Sequence, residues 1–267
     1  MSTIYLSPTS IANRARCSLA SELSRLHLRP RGEPSMKMRI GSAFHDAWEQ
    51  FTIVEPEKRS LALLTTNIGL AWDTLREESK EFDEKKWTGA KERSLRIAEH
   101  YWKEFGCDES VSGGFSEHWM EMPIVTLDDT EYVLRARIDY VTSDHVHEMK
   151  TTGESPHPRD GTGYTLFLPQ LQLEGLLLQH QDPTANITTS ITCVWPSGAD
   201  RFPIPLTTRF AERAKNMGIR VANSIHSGTY HAGEGYWCGN CEFRDVCEVR
   251  LTTGVLPKGL DKSKLID

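Results

Sequence analysis

The sequence predicts a mixed α/β protein with an N-terminal helical part, and three observations carry that expectation. Apolar residues recur at helical spacing through the first hundred positions; from Glu117 the period changes to two; a further helix and further strands then follow. The 267 residues, 38% hydrophobic and 25% charged, suffice for a sizeable core and exclude a collagen-like, mucin-like or wholly disordered chain. With no internal repeat and no low-complexity tract, one domain over 1–251 and a polar tail over 252–267 are expected. No apolar run approaches the ~18–20 residues of a membrane span. The opening MSTIYLSPTSIANRARC has no apolar core between a basic start and a cleavage site. A soluble, cytoplasmic protein without a membrane partner is therefore expected.

Ser7–Pro8–Thr9–Ser10 reads as the cap and first turn of a helix running to about Leu28. After a Pro/Gly/basic loop, Ile40, Phe44, Ala47, Trp48 and Phe51 mark a second helix, with His45 at the edge of its apolar stripe. Residues 60–82 and 89–106 continue as amphipathic helices, so that 40–106 forms a helical lobe. A core over 115–227 follows. Within it 117–126, 131–142 and 145–151 read as strands joined by turns at Asp128–Asp129 and Ser143–Asp144. Helix 168–181, strands 186–194 and 201–205, and helix 207–227 complete the expected order.

The net charge of −6 does not suggest a dedicated nucleic-acid binder, but its distribution is uneven. Residues 14–39 hold Arg14, Arg16, Arg25, Arg29, Arg31, Lys37 and Arg39 against Glu22 and Glu33, and residues 201–220 hold Arg201, Arg209, Arg213, Lys215 and Arg220 against Glu212. Such stretches line a phosphate-binding groove or form solvated helix faces; charge alone leaves both open.

The segment RARIDYVTSDHVHEMKTT carries the central constellation. A strand puts alternate side chains on one face, so Glu148 and Lys150 share a face while Met149 points to the core. The preceding turn brings Asp139 near Glu148. Two carboxylates and an ammonium at one spot can hold a divalent metal while the lysine positions a water; the same spacing also fits a salt bridge between strands. Gln170 and Gln172 lie beside the apolar positions of LPQLQLEGLLLQ, where their amides could bond a phosphate or Lys150, or simply face solvent.

Of six cysteines, Cys238, Cys241 and Cys247 fall within ten residues. In an intracellular chain this cluster suits a metal rather than a disulfide framework. A fourth soft ligand is needed. Cys17 lies in a predicted helix, whereas Cys193 lies in a strand, where cysteine usually acts as a small hydrophobe. Four thiolates suit zinc or an iron–sulfur cluster, and spacing does not separate them. The nucleotide loop GxxxxGK[ST], the GxGxxG fingerprint and the GxSxG elbow are all absent, so an ATPase or helicase activity would come from another chain.

Taken in order, these motifs resemble the PD-(D/E)XK nuclease superfamily, in particular RecB-like exonucleases carrying a four-cysteine iron–sulfur cluster, such as CRISPR-associated and bacteriophage exonucleases and the nuclease domain of AddB. SPTSIANRARC resembles the family helix ending in the first cluster cysteine, GSAFH the Gly-x-x-x-His motif, RARIDYV the Gly-x-x-Asp strand, EMK the Glu-x-Lys motif, PQLQLE the Gln-x-x-x-Tyr motif and CGNCEFRDVC the closing cysteines. The resemblance implies a restriction-endonuclease-like core, a mixed sheet flanked by helices. It implies Mg²⁺ or Mn²⁺ on His45, Asp139, Glu148 and the Met149 carbonyl, with Lys150 catalytic and Gln170 near the substrate. It further implies a [4Fe-4S] cluster on Cys17, Cys238, Cys241 and Cys247 that joins the two ends, zinc being the lesser alternative. DNA, single-stranded or with free ends, would lie along Arg14, Arg16, Arg39, Arg209 and Arg213, with a helicase or recombinase supplied by another chain. Three positions depart from the family pattern: Ala136 for glycine, Ser18 where proline often follows the cysteine, and Glu174 for tyrosine. None removes a metal ligand or the lysine, so a metal-dependent exonuclease acting in recombination, repair or end processing is expected, the alternatives being a non-catalytic DNA-binding recombination accessory or a zinc-stapled protein with a coincidental Glu-x-Lys.

Overall fold

The computed structural model describes residues 2–25, 34–79, 83–155 and 167–233, together with Cys238, Cys241, Phe243, Arg244 and Cys247. The chain divides into two compact units. The first comprises Met1–Arg31, Glu121–Arg135 and Arg209–Asp267; the second comprises Gly32–Met120 and Ala136–Thr208. Two long strands, β2 (Phe115–Leu127) and β3 (Thr130–Val141), contribute residues to both units.

In the first unit, β1 (Ser2–Leu6) runs parallel to the start of β3, Ser2 opposite Thr130 and Leu6 opposite Leu134. The expected long first helix is two: α1 (Pro8–Arg16) and α2 (Ser18–Arg25). The break is Cys17, whose backbone is extended at φ −155°, ψ 98°. It is held there by the later chain, because Leu19 N–H donates to the His231 carbonyl at 2.8 Å and His231 N–H donates to Ser18 Oγ at 2.6 Å. Helix α7 (Thr208–His226) buries Ala211, Ala214, Gly218, Val221 and Ala222.

In the second unit three helices build the main core. They are α3 (Met36–Ile53), α4 (Leu61–Glu78) and α5 (Glu84–Phe105). Their starts are fixed by side-chain caps: Ser35 accepts from Met38 N–H, Ser60 from Leu63 N–H and Asp83 from Lys86 N–H. Phe44, Trp48, Phe51, Leu64, Ile68, Trp72 and Ile97 fill the space between them, with Met149 and Val194 from the sheet. The end of β3 pairs antiparallel with β4 (His145–Thr151), β4 parallel with β5 (Thr188–Trp195), and β5 antiparallel with β6 (Gly198–Pro205). The parallel step is bridged by α6 (Leu168–Gln181), so the sheet is mixed and flanked by helices. Among the described residues no helix is long and apolar enough to cross a membrane.

Candidate metal centre and catalytic residues

Two close approaches bring helices onto the strands, α3 onto the end of β4 and α6 onto the start of β5. A Cβ at Gly41 would come within 3.2 Å of Thr151 Oγ1, so glycine lets α3 lie against the end of β4 and aims His45, one turn on, at the strand. A Cβ at Gly175 would meet Thr189 Cγ2 at 2.8 Å, so α6 packs equally tightly on β5 and turns Gln170 and Glu174 toward the same place.

His45 Nδ1 stands 3.6 Å from Asp139 Oδ2, and the same oxygen accepts Met149 N–H at 2.8 Å. Glu117 joins them: one ligand atom from each of His45, Glu117 and Asp139 lies within 4.8 Å of the other two. These are a borderline nitrogen and two hard oxygens, a donor set that fits a divalent ion such as Mg²⁺ or Mn²⁺. Burial disfavours the His45 cation, yet Asp139 outweighs it and raises the histidine pKa. Burial likewise pushes Asp139 up, but His45, Lys150 and the Met149 amide together hold it below the usual carboxylate range. Each of the two side chains thus favours the charged form of the other, and a metal bound there would take the imidazole nitrogen in competition with its proton.

Glu148 lies on the same strand as expected but in a different arrangement. Its carboxylate is paired with Lys150 and accepts Gln170 Nε2 at 2.6 Å, and it is not one of the three close ligand atoms. Gln170 Nε2 also reaches Glu174 Oε1 at 2.9 Å. Burial and the nearby Asp139 raise the Glu148 pKa; burial and Glu148 raise that of Glu174 well above the ordinary value. Among the described residues, Glu174 Oε2 has no hydrogen-bond partner. Lys150 loses some basicity to burial but gains more from Glu148 and Asp139, so it stays an ammonium, with its Nζ 5.9 Å from the Phe167 ring centroid. Gln172, by contrast, is buried. Met149 is fully buried in the core, as strand alternation predicts.

Glu117 and its partner Arg137 were missed by sequence reasoning. Arg137 Nε is ion-paired with Glu117 Oε2. Burial alternates cleanly along β2 from Trp119 to Ile124 but fails at Ser116–His118, where Glu117 has φ +51°. That bend breaks the period-two rule, so counting along the strand does not give the face its carboxylate takes.

The five expected DNA-contacting arginines separate into two kinds. Arg209 and Arg213 are exposed on α7, and Arg16 is half-buried. Arg14 and Arg39 are not surface cations. Arg14 is 8% exposed beside Glu22, and Arg39 is 5% exposed, stacked over Trp87 and bonded to the Pro34 carbonyl and Ser79 Oγ. Long basic side chains carry enough hydrocarbon to serve as core when their heads find partners. Arg201, counted in the second basic stretch, is likewise committed, to Asp108 at 2.6 Å. Arg29 and Arg31 lie outside the described residues.

In the first unit Cys17, Cys241 and Cys247 flank one apolar cluster of Leu19, Leu23, Tyr230 and Phe243. Cys17 Sγ accepts N–H groups of Ala20 and Gly233, both at 3.4 Å, and Cys238 Sγ lies 3.6 Å from the Gly233 carbonyl. Among the described residues no three cysteine sulfurs gather within 4.8 Å as ligands of one ion, so the geometry does not show the expected iron–sulfur centre. Cys193 is fully buried in β5 and its thiol is pushed up to about 12 by burial, the behaviour of a small apolar residue.

A model of the PD-(D/E)XK nuclease superfamily matches residues 5–248. The chain belongs to that superfamily. Members hydrolyse nucleic acid with a divalent metal, and the His45–Glu117–Asp139 group is a place for one. The fold is similar to the crystal structure of a "Putative exonuclease" from Eubacterium rectale, with a TM-score of 0.54 at 14% identity over 96% of this chain and 91% of that one. A crystal structure of SSO0001 aligns at a TM-score of 0.35 and 16% identity, over 86% and 94% of the two chains, too weakly to carry an argument. No curated protein matches the chain.

Proposed function

We propose that this superfamily member is a Mg²⁺- or Mn²⁺-dependent deoxyribonuclease that degrades DNA from its ends, in recombination, repair or end processing. The observation that carries the reading is the shared Asp139 oxygen. It faces His45 in the three-ligand group and accepts the N–H of Met149, the residue between Glu148 and Lys150. Metal donors and a lysine–carboxylate pair are thereby tied into one site.

His45, Asp139 and Glu117 would hold the ion, and Glu148 and the Met149 carbonyl are assigned as further ligands on the family pattern. The ion, when bound, supplies Lewis acidity at a phosphate oxygen and a water of lowered pKa. Lys150, kept protonated by Glu148 and Asp139, orients the attacking water and steadies the charge that develops on the phosphate. Gln170, bonded to both Glu148 and Glu174, keeps the lysine's carboxylate partner in place. Water oxygen bonds to phosphorus, the bridging P–O bond breaks, and the departing oxygen takes up a proton. Arg209 and Arg213 are assigned to the DNA backbone, which makes binding salt-sensitive and largely independent of sequence.

Cys17, Cys238, Cys241 and Cys247 are assigned to a structural [4Fe-4S] cluster, in the manner of RecB-like relatives. This draws support from the meeting of 17–19 with 231–233 and from N–H groups aimed at Cys17 sulfur. A helicase or recombinase on another chain would supply the ends.

The test is degradation of end-labelled linear and circular DNA with Mn²⁺ by wild type and Lys150→Ala. Digestion of linear DNA alone by wild type, lost in the variant, supports the proposal; digestion of circles makes the site an endonuclease; no cleavage by either overturns it. Brown protein with broad absorbance near ~400 nm, colourless or insoluble as Cys241→Ser, supports iron–sulfur, whereas colourless wild type carrying zinc overturns that assignment.

A further inference from the structure

Arg137 lies two residues before Asp139 on β3, on the same face of the strand. It faces Asp46, Glu49, Glu117 and Asp139, and its side chain is 51% exposed. Lys150, by contrast, is 24% exposed and committed to Glu148. Arg137 is committed through Nε alone, to Glu117 Oε2, and its Nη groups make no hydrogen bond to a described residue. The pair is buried at its Glu117 end, 14% exposed and set on a strained bend of β2, and open to solvent at its arginine end.

Resting on the nuclease reading above, we infer that Arg137 is a phosphate clamp of the metal site. Glu117 fixes the guanidinium by its Nε edge and leaves the terminal fork facing solvent, beside the oxygens that would hold an ion. A phosphate diester that places one oxygen on the ion can offer a second to this fork, a geometry a planar guanidinium matches and an ammonium does not. The clamp also answers a charge problem. The carboxylates around Arg137 repel a nucleic-acid backbone, and the exposed guanidinium gives the phosphate a favourable contact among them. The same side chain thus links metal and substrate through a single carboxylate.

The rival role is orientation of Glu117 alone, and the two predict different measurements. Fluorescence anisotropy with an end-labelled oligonucleotide, with Ca²⁺ replacing Mn²⁺ and the strand checked intact, reads DNA affinity. Calorimetric titration with Mn²⁺ without DNA reads the metal site. Arg137→Ala is expected to bind DNA about tenfold more weakly, with a salt dependence shallower by about one phosphate contact, while Mn²⁺ affinity is unchanged or tighter. Arg137→Lys keeps the slope and recovers part of the affinity, since charge is retained and the fork is lost. DNA affinity and slope like wild type, with Mn²⁺ affinity down tenfold or more, overturn the clamp and leave Arg137 as a support for Glu117. Wild type that neither takes up Mn²⁺ nor cuts DNA fells the nuclease reading and the clamp with it. Wild type that does both, while Arg137→Ala binds DNA as wild type does, overturns the clamp alone.

Discussion

The second unit holds two clusters of acids and bases made from similar side chains, and they are built to opposite ends. Around Asp108, every lone pair is used. Arg201 donates to both carboxylate oxygens at 3.0 and 2.6 Å, Ser110 donates to one and Tyr101 to the other, and Trp48 Nε1 donates to the tyrosine. Burial opposes the charge, but Arg201 and these hydrogen bonds win and depress the Asp108 pKa to about 2. Around Asp139 the cations do not keep pace. Glu117, Glu148 and Glu174 are all raised by burial, and Glu174 keeps an oxygen with no hydrogen-bond partner among the described residues. A saturated network is a structural joint; an acid-rich cluster with a histidine among its carboxylates could hold a cation.

Breaking that contrast should give effects that separate activity from stability. Asp139→Asn removes a metal donor and one of the crowded charges, so Mn²⁺-dependent cleavage should fall by roughly a thousandfold or more, the scale of losing a charge-stabilising group. Its thermal midpoint should stay within a few degrees of wild type, as read by circular dichroism. Arg201→Ala should do the reverse. It leaves Asp108 buried without its bidentate partner, at a cost of about 3 kcal/mol or more in urea unfolding. Cleavage per folded molecule should be unchanged.

The contrast also marks what the sequence could show. Helices α3 and α6 and strand β4 were legible because apolar spacing and alternation are imposed by a core on one side of each, and the same alternation put Glu148 and Lys150 together. The order of strands and helices was legible for that reason too. Strand β1 was not, since five residues with one buried side chain carry no period. The break at Cys17 was hidden inside a continuous helical pattern, because its cause, His231, lies 214 residues away. Glu117 was hidden by a backbone bend. Arg14, Arg39 and Arg201 were read as surface charge because composition does not reveal that a Glu, a Trp ring or an Asp will meet them.

Two smaller effects sharpen the comparison by pH and by charge. Asp108 is ionised and paired in the folded protein down to about pH 2, against an ordinary value near 3.8. Its contribution, on the order of 2 kcal/mol, is present above the unfolded value and lost as pH falls through the folded one. The stability gap between wild type and Asp108→Asn, measured by urea at pH 6, 4 and 2.5, should therefore narrow steadily toward acid. A gap that stays constant would mean the charge of Asp108 matters less than its shape. Glu174 should respond least. Burial and Glu148 push its carboxyl well above the ordinary value, and its Oε1 accepts from Gln170, a bond an amide oxygen can accept equally well. Glu174→Gln keeps a planar group with the same acceptor in place, so unfolding should change by less than about 1 kcal/mol. A loss of several kcal/mol would show instead that Glu174 is ionised and paired, which would make its surroundings a joint like that of Asp108 and not part of an acid-rich site.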